Sequence, residues 1–238
     1  MIIGGLEKLT LLDYPDHLAA IIFTSGCNFR CHFCYNPKLV FPVKEKNEEG
    51  SEFIKNEDLF LFLKERFGRL EAVVISGGEP TLHSDLPDFI KQVKDIGYLV
   101  KLDTNGTNPE MIELLIKDGL IDYLAMDIKA GPEEYEEVVG TKIDFKNIEK
   151  SVNIIMLSNI SYEFRTTLVP GLVDEQKFLA MANVIKGAKK WYLQNFKSDT
   201  NLVDPKFQGL RGFSSEEMKK FVTLGQGFVD FCEDRTYN

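Results

Sequence analysis

The segment GCNFRCHFCYNP, residues 26–37, holds three of the chain's four cysteines, Cys27, Cys31 and Cys34, in the spacing C-x3-C-x2-C. Soft thiolates gathered this closely select zinc or iron–sulfur chemistry. Structural zinc takes four closed ligands, commonly as two separated pairs, whereas only one C-x2-C pair exists here. A [4Fe–4S] cluster also normally takes four cysteines. Supplying three leaves one iron with an open coordination position, and that position is the functional part. Two alternatives stand beside this reading. A zinc knot completed by His32, His17 or Cys232 fits ordinary zinc spacing poorly. Three buried apolar cysteines fit worse, because Asn28, Arg30 and His32 between them are polar and Gly26 precedes them.

Other residues with chemical potential fall at the ends of β-rich apolar runs. Strands are expected over 18–26, 71–77, 98–106, 121–130, 161–171 and 190–196. Cys27 follows the first, GGEP (77–80) the second, DTNG (103–106) closes the third and DIK (127–129) the fourth. Arg165 and Thr167 lie in the fifth, and Gln194 and Asn195 end the sixth. Helices are expected over 56–68, 84–97, 108–119, 145–157 and 174–187, with Asn56, Ser84, Asn108 and Asp174 as N-caps and Gly68, Gly97, Gly119 and Gly187 as closing glycines. Cys232 falls in a helical-looking tail, FVDFCED, as a packing residue.

Six strand–helix alternations imply an α/β fold of parallel strands with crossover helices. A doubly wound sheet and a partial barrel both satisfy that rhythm. In either, ligands gather at the carboxyl ends of the strands, which is where the unusual residues sit. A charged insert at 43–52, VKEKNEEGSE, reads as a solvated loop.

Composition narrows the function classes. The 238 residues suffice for one large domain, and 44% hydrophobic residues can bury a sizeable core. A formal net charge of −9, from 28 basic and 37 acidic residues, argues against broad binding to nucleic acid or anionic membrane. The opening MIIGGLEKLTLLDYP lacks a secretory pattern, and the longest apolar run, 18–23, is too short to span a bilayer. The reading is a cytoplasmic protein without a membrane or nucleic-acid partner.

With Phe33 before the last cysteine, the motif resembles the C-x3-C-x-aromatic-C signature of radical S-adenosylmethionine (SAM) enzymes. The resemblance implies a partial (β/α)6 TIM-like barrel with outer helices over a single domain, residues 1–238, with its core at about 18–196 and a C-terminal extension at about 197–238. It also implies a site-differentiated [4Fe–4S] cluster on Cys27, Cys31 and Cys34. SAM would chelate the open iron, and reductive cleavage would give a 5′-deoxyadenosyl radical. A motif like Gly77-Gly78-Glu79-Pro80 cradles the SAM amino group in that family. Glycines let a backbone approach closely, and carbonyls with Glu79 accept from an ammonium; an ordinary loop with Glu79 solvated is the alternative.

LDTNGT (102–107) and AMDIKA (125–130) extend the resemblance to activating enzymes of glycyl-radical enzymes. There, residues like Asp103, Thr104 and Asp127 help hold a monovalent cation beside SAM, and a lysine like Lys129 contacts SAM. Asp103 could equally cap a helix. An arginine like Arg165 contacts SAM in the family, its guanidinium suiting carboxylate recognition; a salt bridge to a strand-end acid is the alternative.

The opening LTLLDYPDHLAAIIFTSGCNFRCHFCYNP resembles anaerobic ribonucleoside-triphosphate reductase activating proteins, and the likeness continues through most of the chain. It implies hydrogen abstraction from a glycine of a partner glycyl-radical enzyme, anaerobic ribonucleotide reductase first, with a low-potential donor such as flavodoxin or ferredoxin. Asp16 stands where glycine is usual and Tyr35 where histidine is usual. The rivals are an activase of the pyruvate formate-lyase type, a radical SAM enzyme acting on a small molecule, and a zinc-binding module.

Overall fold

The computed structural model describes residues 1–41, 53–198 and 201–236; the insert expected at 43–52 lies outside the described residues. The chain divides into two units, one of residues 1–28, 38–104 and 110–124, the other of residues 29–37, 105–109 and 125–238.

The first unit is built on β1 (Ile3–Thr10), β2 (Ala19–Thr24), β3 (Ala72–Gly77) and β4 (Leu99–Thr104), in that spatial order. β1 runs antiparallel to β2, and β2, β3 and β4 are parallel, with Ala20 beside Val73 and Val73 beside Val100. Parallel strands buried on both faces need continuous apolar runs. Ala19, Ala20, Ile22, Val73, Val74, Ile75 and Val100 supply them, all fully buried. Helix α1 (Pro37–Val40) is short, and α2 (Asn56–Arg66) buries Leu59 and Leu63 four residues apart. α3 (Leu86–Ile96) buries Leu86, Phe89, Ile90 and Val93, and Gly97 closes it in the left-handed conformation. α4 (Pro109–Lys117) follows β4. Asn56 lies inside the first turn of α2 and Ser84 precedes Asp85, the cap of α3, so neither caps as expected.

β5 (Tyr123–Asp127) leads from the first unit into the second. There α5 (Tyr135–Val139), α6 (Phe145–Leu157), β6 (Ser161–Leu168), α7 (Glu175–Val184), β7 (Trp191–Asn195), α8 (Ser215–Gly225) and β8 (Cys232–Asp234) follow. β6, β7 and β8 are parallel, with Phe164 beside Trp191 and Trp191 beside Cys232. Trp191 stacks on Phe178 of α7 with centroids 4.7 Å apart. Asp174 caps α7 by accepting from Lys177 N, as expected. Cys232 is a correction: it lies in β8, where Trp191 of β7 aligns beside it, and not in a helix.

The α/β class with parallel strands and intervening helices therefore stands. Within each unit, spatial order follows chain order. A doubly wound sheet reverses direction at a switch point, so neither unit has that topology. Among the described residues no helix is long and apolar enough to cross a membrane.

Candidate active site

In the first unit the site begins where β2 ends. Gly26, at φ +98°, turns the chain into Cys27, and its N–H donates to the Leu39 carbonyl at 2.7 Å. The Gly77–Gly78 turn after β3 lies directly on this bend. Gly78 N donates to Thr24 O and Glu79 N to Gly26 O, both at 2.8 Å. A Cβ on Gly78 would stand 2.0 Å from the Gly26 carbonyl oxygen, and one on Gly77 would stand 2.3 Å from Thr24 N. The paired glycines are thus demanded by the backbone that carries Cys27, a reason separate from any ligand.

Glu79 is not solvated. It is 1% exposed, and its Oε1 accepts from Thr81 N at 3.1 Å, Thr81 Oγ1 at 2.5 Å and Thr104 Oγ1 at 2.7 Å. It caps the short 3-10 turn Pro80–Leu82 and ties it to the end of β4. Two residues along β4, the ammonium of buried Lys101 lies 2.9 Å from Asp103 Oδ1. Asp103 is a strand residue and α4 begins only at Pro109, so it caps no helix.

In the second unit, Cys34 N donates to the Cys31 carbonyl at 3.1 Å, closing a tight turn that carries both thiols. Two elements grip this turn. From α5, Val139 O accepts from Arg30 N at 2.8 Å and Glu137 O lies 3.2 Å from His32 Nε2. From the segment after β7, Val203 N donates to Cys34 O at 3.1 Å and Asp204 N to His32 O at 3.0 Å. His32 Nδ1 faces Asp204 Oδ2 at 3.3 Å. Both nitrogens of His32 therefore face protein oxygens, which removes it from the zinc alternative. Tyr35 accepts from Lys197 N at 2.9 Å and stacks on Phe196, so it has its own reason for standing where histidine is usual.

Beside the cysteine turn lies a charge cluster. Arg165 Nε donates to Asp127 Oδ1 at 2.9 Å, and Lys129 Nζ to Asp127 Oδ2 at 3.2 Å. The salt-bridge alternative for Arg165 is therefore realised. Ile128 N donates to Arg165 O at 2.8 Å, which holds the end of β5 against β6. Burial works to raise the Asp127 carboxyl, but the Arg165 and Lys129 charges outweigh it and hold it at about 2. Burial works against the Lys129 ammonium, but Asp127, helped by Cys31 and Cys34, more than reverses this and raises its pKa. The ammonium also lies 6.0 Å from the centroid of the Phe33 ring.

Sequence reasoning placed these residues but missed four of their supports: Lys101, Thr81, Tyr135 and Asp204. Tyr135 of α5 is fully buried, packs edge-on against Phe29 and has a hydroxyl without a hydrogen bond among the described residues. Lys101 left a signal, a lysine inside an apolar strand and in phase with Asp103. Asn195, a strand-end candidate, is spent on both backbone groups of Phe213.

Cys31 and Cys34, paired in one turn of the second unit, suit iron–sulfur ligation by their chemistry. None of the four cysteines is in a disulfide. Cys31 and Cys34 are fixed by backbone bonds on both sides, and the half-buried Lys129 ammonium stands beside them to offset thiolate charge. Cys232 is packed within β8, where its Sγ would stand 2.6 Å from a Cβ on Gly225.

Comparison with known proteins agrees. Residues 21–182 match the radical SAM superfamily. A Methanocaldococcus jannaschii protein provisionally named a glycyl-radical enzyme activating enzyme is 35% identical over 100% of this chain and 97% of its own length. The pyruvate formate-lyase-activating enzyme of Clostridium pasteurianum is 29% identical over 79% of this chain and 77% of its own. Among solved structures, TYW1 with a lysine-pyruvate adduct bound superposes with a TM-score of 0.62 at 18% identity, over 88% of this chain and 73% of that one. The family match over most of the chain, on a fold that also superposes, makes this chain an enzyme of the radical SAM superfamily.

Proposed function

We propose that this chain activates a glycyl-radical enzyme by removing a hydrogen atom from a glycine of that partner. The observation that carries the reading is the likeness to the M. jannaschii protein, at 35% identity over 100% of this chain and 97% of that protein. Membership of the superfamily implies a [4Fe–4S] cluster and SAM. When bound, they supply the electron and the carbon radical that the reaction needs.

The chain's own residues do the holding. Cys27, Cys31 and Cys34 are the cluster ligands in this reading. Arg165 and Lys129, aimed by Asp127, offer positive charge to the SAM carboxylate. The Gly77–Pro80 turn, braced by Glu79 on Thr104, offers backbone carbonyls to the SAM ammonium. Asp103 completes the polar end of β4.

The partner is an anaerobic ribonucleotide reductase in this reading. The support is the resemblance of the opening LTLLDYPDHLAAIIFTSGCNFRCHFCYNP to activating proteins of that reductase, from which Asp16 and Tyr35 depart. A cytosolic donor such as flavodoxin or ferredoxin would reduce the cluster.

The test is anaerobic incubation of reconstituted, reduced protein with SAM and a candidate reductase, followed by electron paramagnetic resonance. A glycyl-radical doublet with about one 5′-deoxyadenosine formed per radical is the expected result. SAM cleavage without that doublet, but with pyruvate formate-lyase activated, would reassign the partner. Cleavage that labels only a small molecule would overturn the activase reading.

A further inference from the structure

Alternation along β4 puts Lys101 and Asp103 on one face of the strand. Lys101 is only 1% exposed, as buried as Glu79 in the same unit. A buried ammonium is costly unless its partners are close and polar. Its partners are the Asp13 carbonyl at 2.6 Å, Asp103 Oδ1 at 2.9 Å and the Tyr123 ring face at 5.8 Å. The contact with Asp103 is one of charge more than of aligned hydrogen bonding.

The Asp13 carbonyl is itself fixed. Thr10 Oγ1 accepts from Leu12 N at 3.2 Å and from Asp13 N at 3.3 Å, and donates to the Asp13 carboxylate. A carboxylate oxygen, a peptide carbonyl and an aromatic face make the surroundings that a potassium or sodium ion would take. Here they surround a cation attached to the chain. Asp127, the other acid expected to hold a monovalent ion, is paired within its own unit with Arg165 and Lys129.

We propose that the Lys101 ammonium is a built-in monovalent cation at Asp103, so that SAM binding needs no added potassium or sodium. The inference rests on the reading of Asp103 as a residue of the SAM site. In that role Lys101 is a positioning residue: it fixes the Asp103 carboxylate and offsets its charge, without exchanging with solvent.

The experiment measures the SAM dissociation constant of the anaerobically reconstituted protein in potassium, sodium and choline chloride at equal ionic strength. The expected result is one value within about twofold across the three salts, below the tenfold step that about 1.4 kcal/mol would give. Weakening by about tenfold or more in choline, restored by potassium, would overturn the proposal. Lys101→Met should create the dependence that the natural chain lacks, with SAM bound about tenfold more tightly in potassium than in choline. A Lys101→Met protein that binds SAM alike in all salts would reduce Lys101 to a packing charge and overturn the proposal. Should that variant fail to fold, the salt series on the natural chain decides alone. No SAM binding in any salt would defeat the site reading, and this inference with it.

Discussion

Arg165 Nε donates to Asp127 Oδ1 at 2.9 Å, while Lys129 Nζ takes the other oxygen of the same carboxylate at 3.2 Å. Two cations of the second unit, Arg165 within β6 and Lys129 just past the end of β5, thus share one acid. Removing the acid leaves like charges facing each other in a largely buried place. Breaking a fully buried pair costs about 3–5 kcal/mol. About a third of the Asp127 side chain is exposed, so Asp127→Asn should cost about 2 kcal/mol in denaturant unfolding of the cluster-free protein.

The same carboxylate sets an acid limit. Its ordinary pKa of 3.8 falls to about 2 in the folded chain. A depressed folded pKa contributes stability that is fully present above about pH 4 and is lost as pH falls toward 2. The melting temperature of the natural chain should therefore drop more steeply between pH 4 and pH 2 than that of Asp127→Asn. Parallel acid limbs in the two proteins would contradict this account.

The glycines around the cysteine bend separate two kinds of cost. Gly26 has φ +98° but open space around a would-be Cβ, so Gly26→Ala pays only conformational strain, about 1–2 kcal/mol. Gly78→Ala would drive a Cβ to 2.0 Å from the Gly26 carbonyl, and the backbone of the bend must move. We expect a loss of about 3 kcal/mol or more and a fall in iron bound after reconstitution. Equal denaturation midpoints for the two variants would show that the turn does not rest on the bend.

How much of this was legible in the sequence depends on distance along the chain. Cys31 and Cys34 lie three residues apart, and Gly77, Gly78 and Glu79 are contiguous, so local spacing announced them. The partnership of Lys101 with Asp13 spans 88 residues, and that of Thr104 with Glu79 spans 25. Only folding brings such pairs together. The edges were hardest to read. β1 carries Gly4 and Gly5 and an irregular register, and β8 has only three residues, so neither shows a strand rhythm. β8 exists because its backbone pairs with the buried β7, not because of its own propensity.

Asp16 offers a test of backbone strain alone. A left-handed conformation costs an L residue roughly 1–2 kcal/mol, and aspartate less than most. Glycine removes that strain but loses roughly 0.5–1 kcal/mol to unfolded-chain entropy. Asp16→Gly should therefore gain about 0.5 kcal/mol, a rise of about 1–2 °C in melting temperature for a chain of this size. Asp16→Ala should fall below the natural chain. Calorimetry on the three proteins checks the order, and a more stable Asp16→Ala would refute the strain.

Cys232 tests the ligand count from the opposite side. A metal ligand must be a thiolate, and burial pushes the Cys232 thiol up to about 12. Its sulfur packs where α8 meets β8, close to Gly225 and beside Trp191, which is wholly buried. Cys232→Ala should therefore cost about 1 kcal/mol of stability from the small void it leaves. Iron per chain and the SAM-induced change in the reduced-cluster resonance spectrum should match the natural protein. Cys31→Ala should do the reverse, abolishing the cluster. A drop in iron on losing Cys232 would mean a fourth thiolate ligand and no open iron, and the three-ligand site would have to be abandoned.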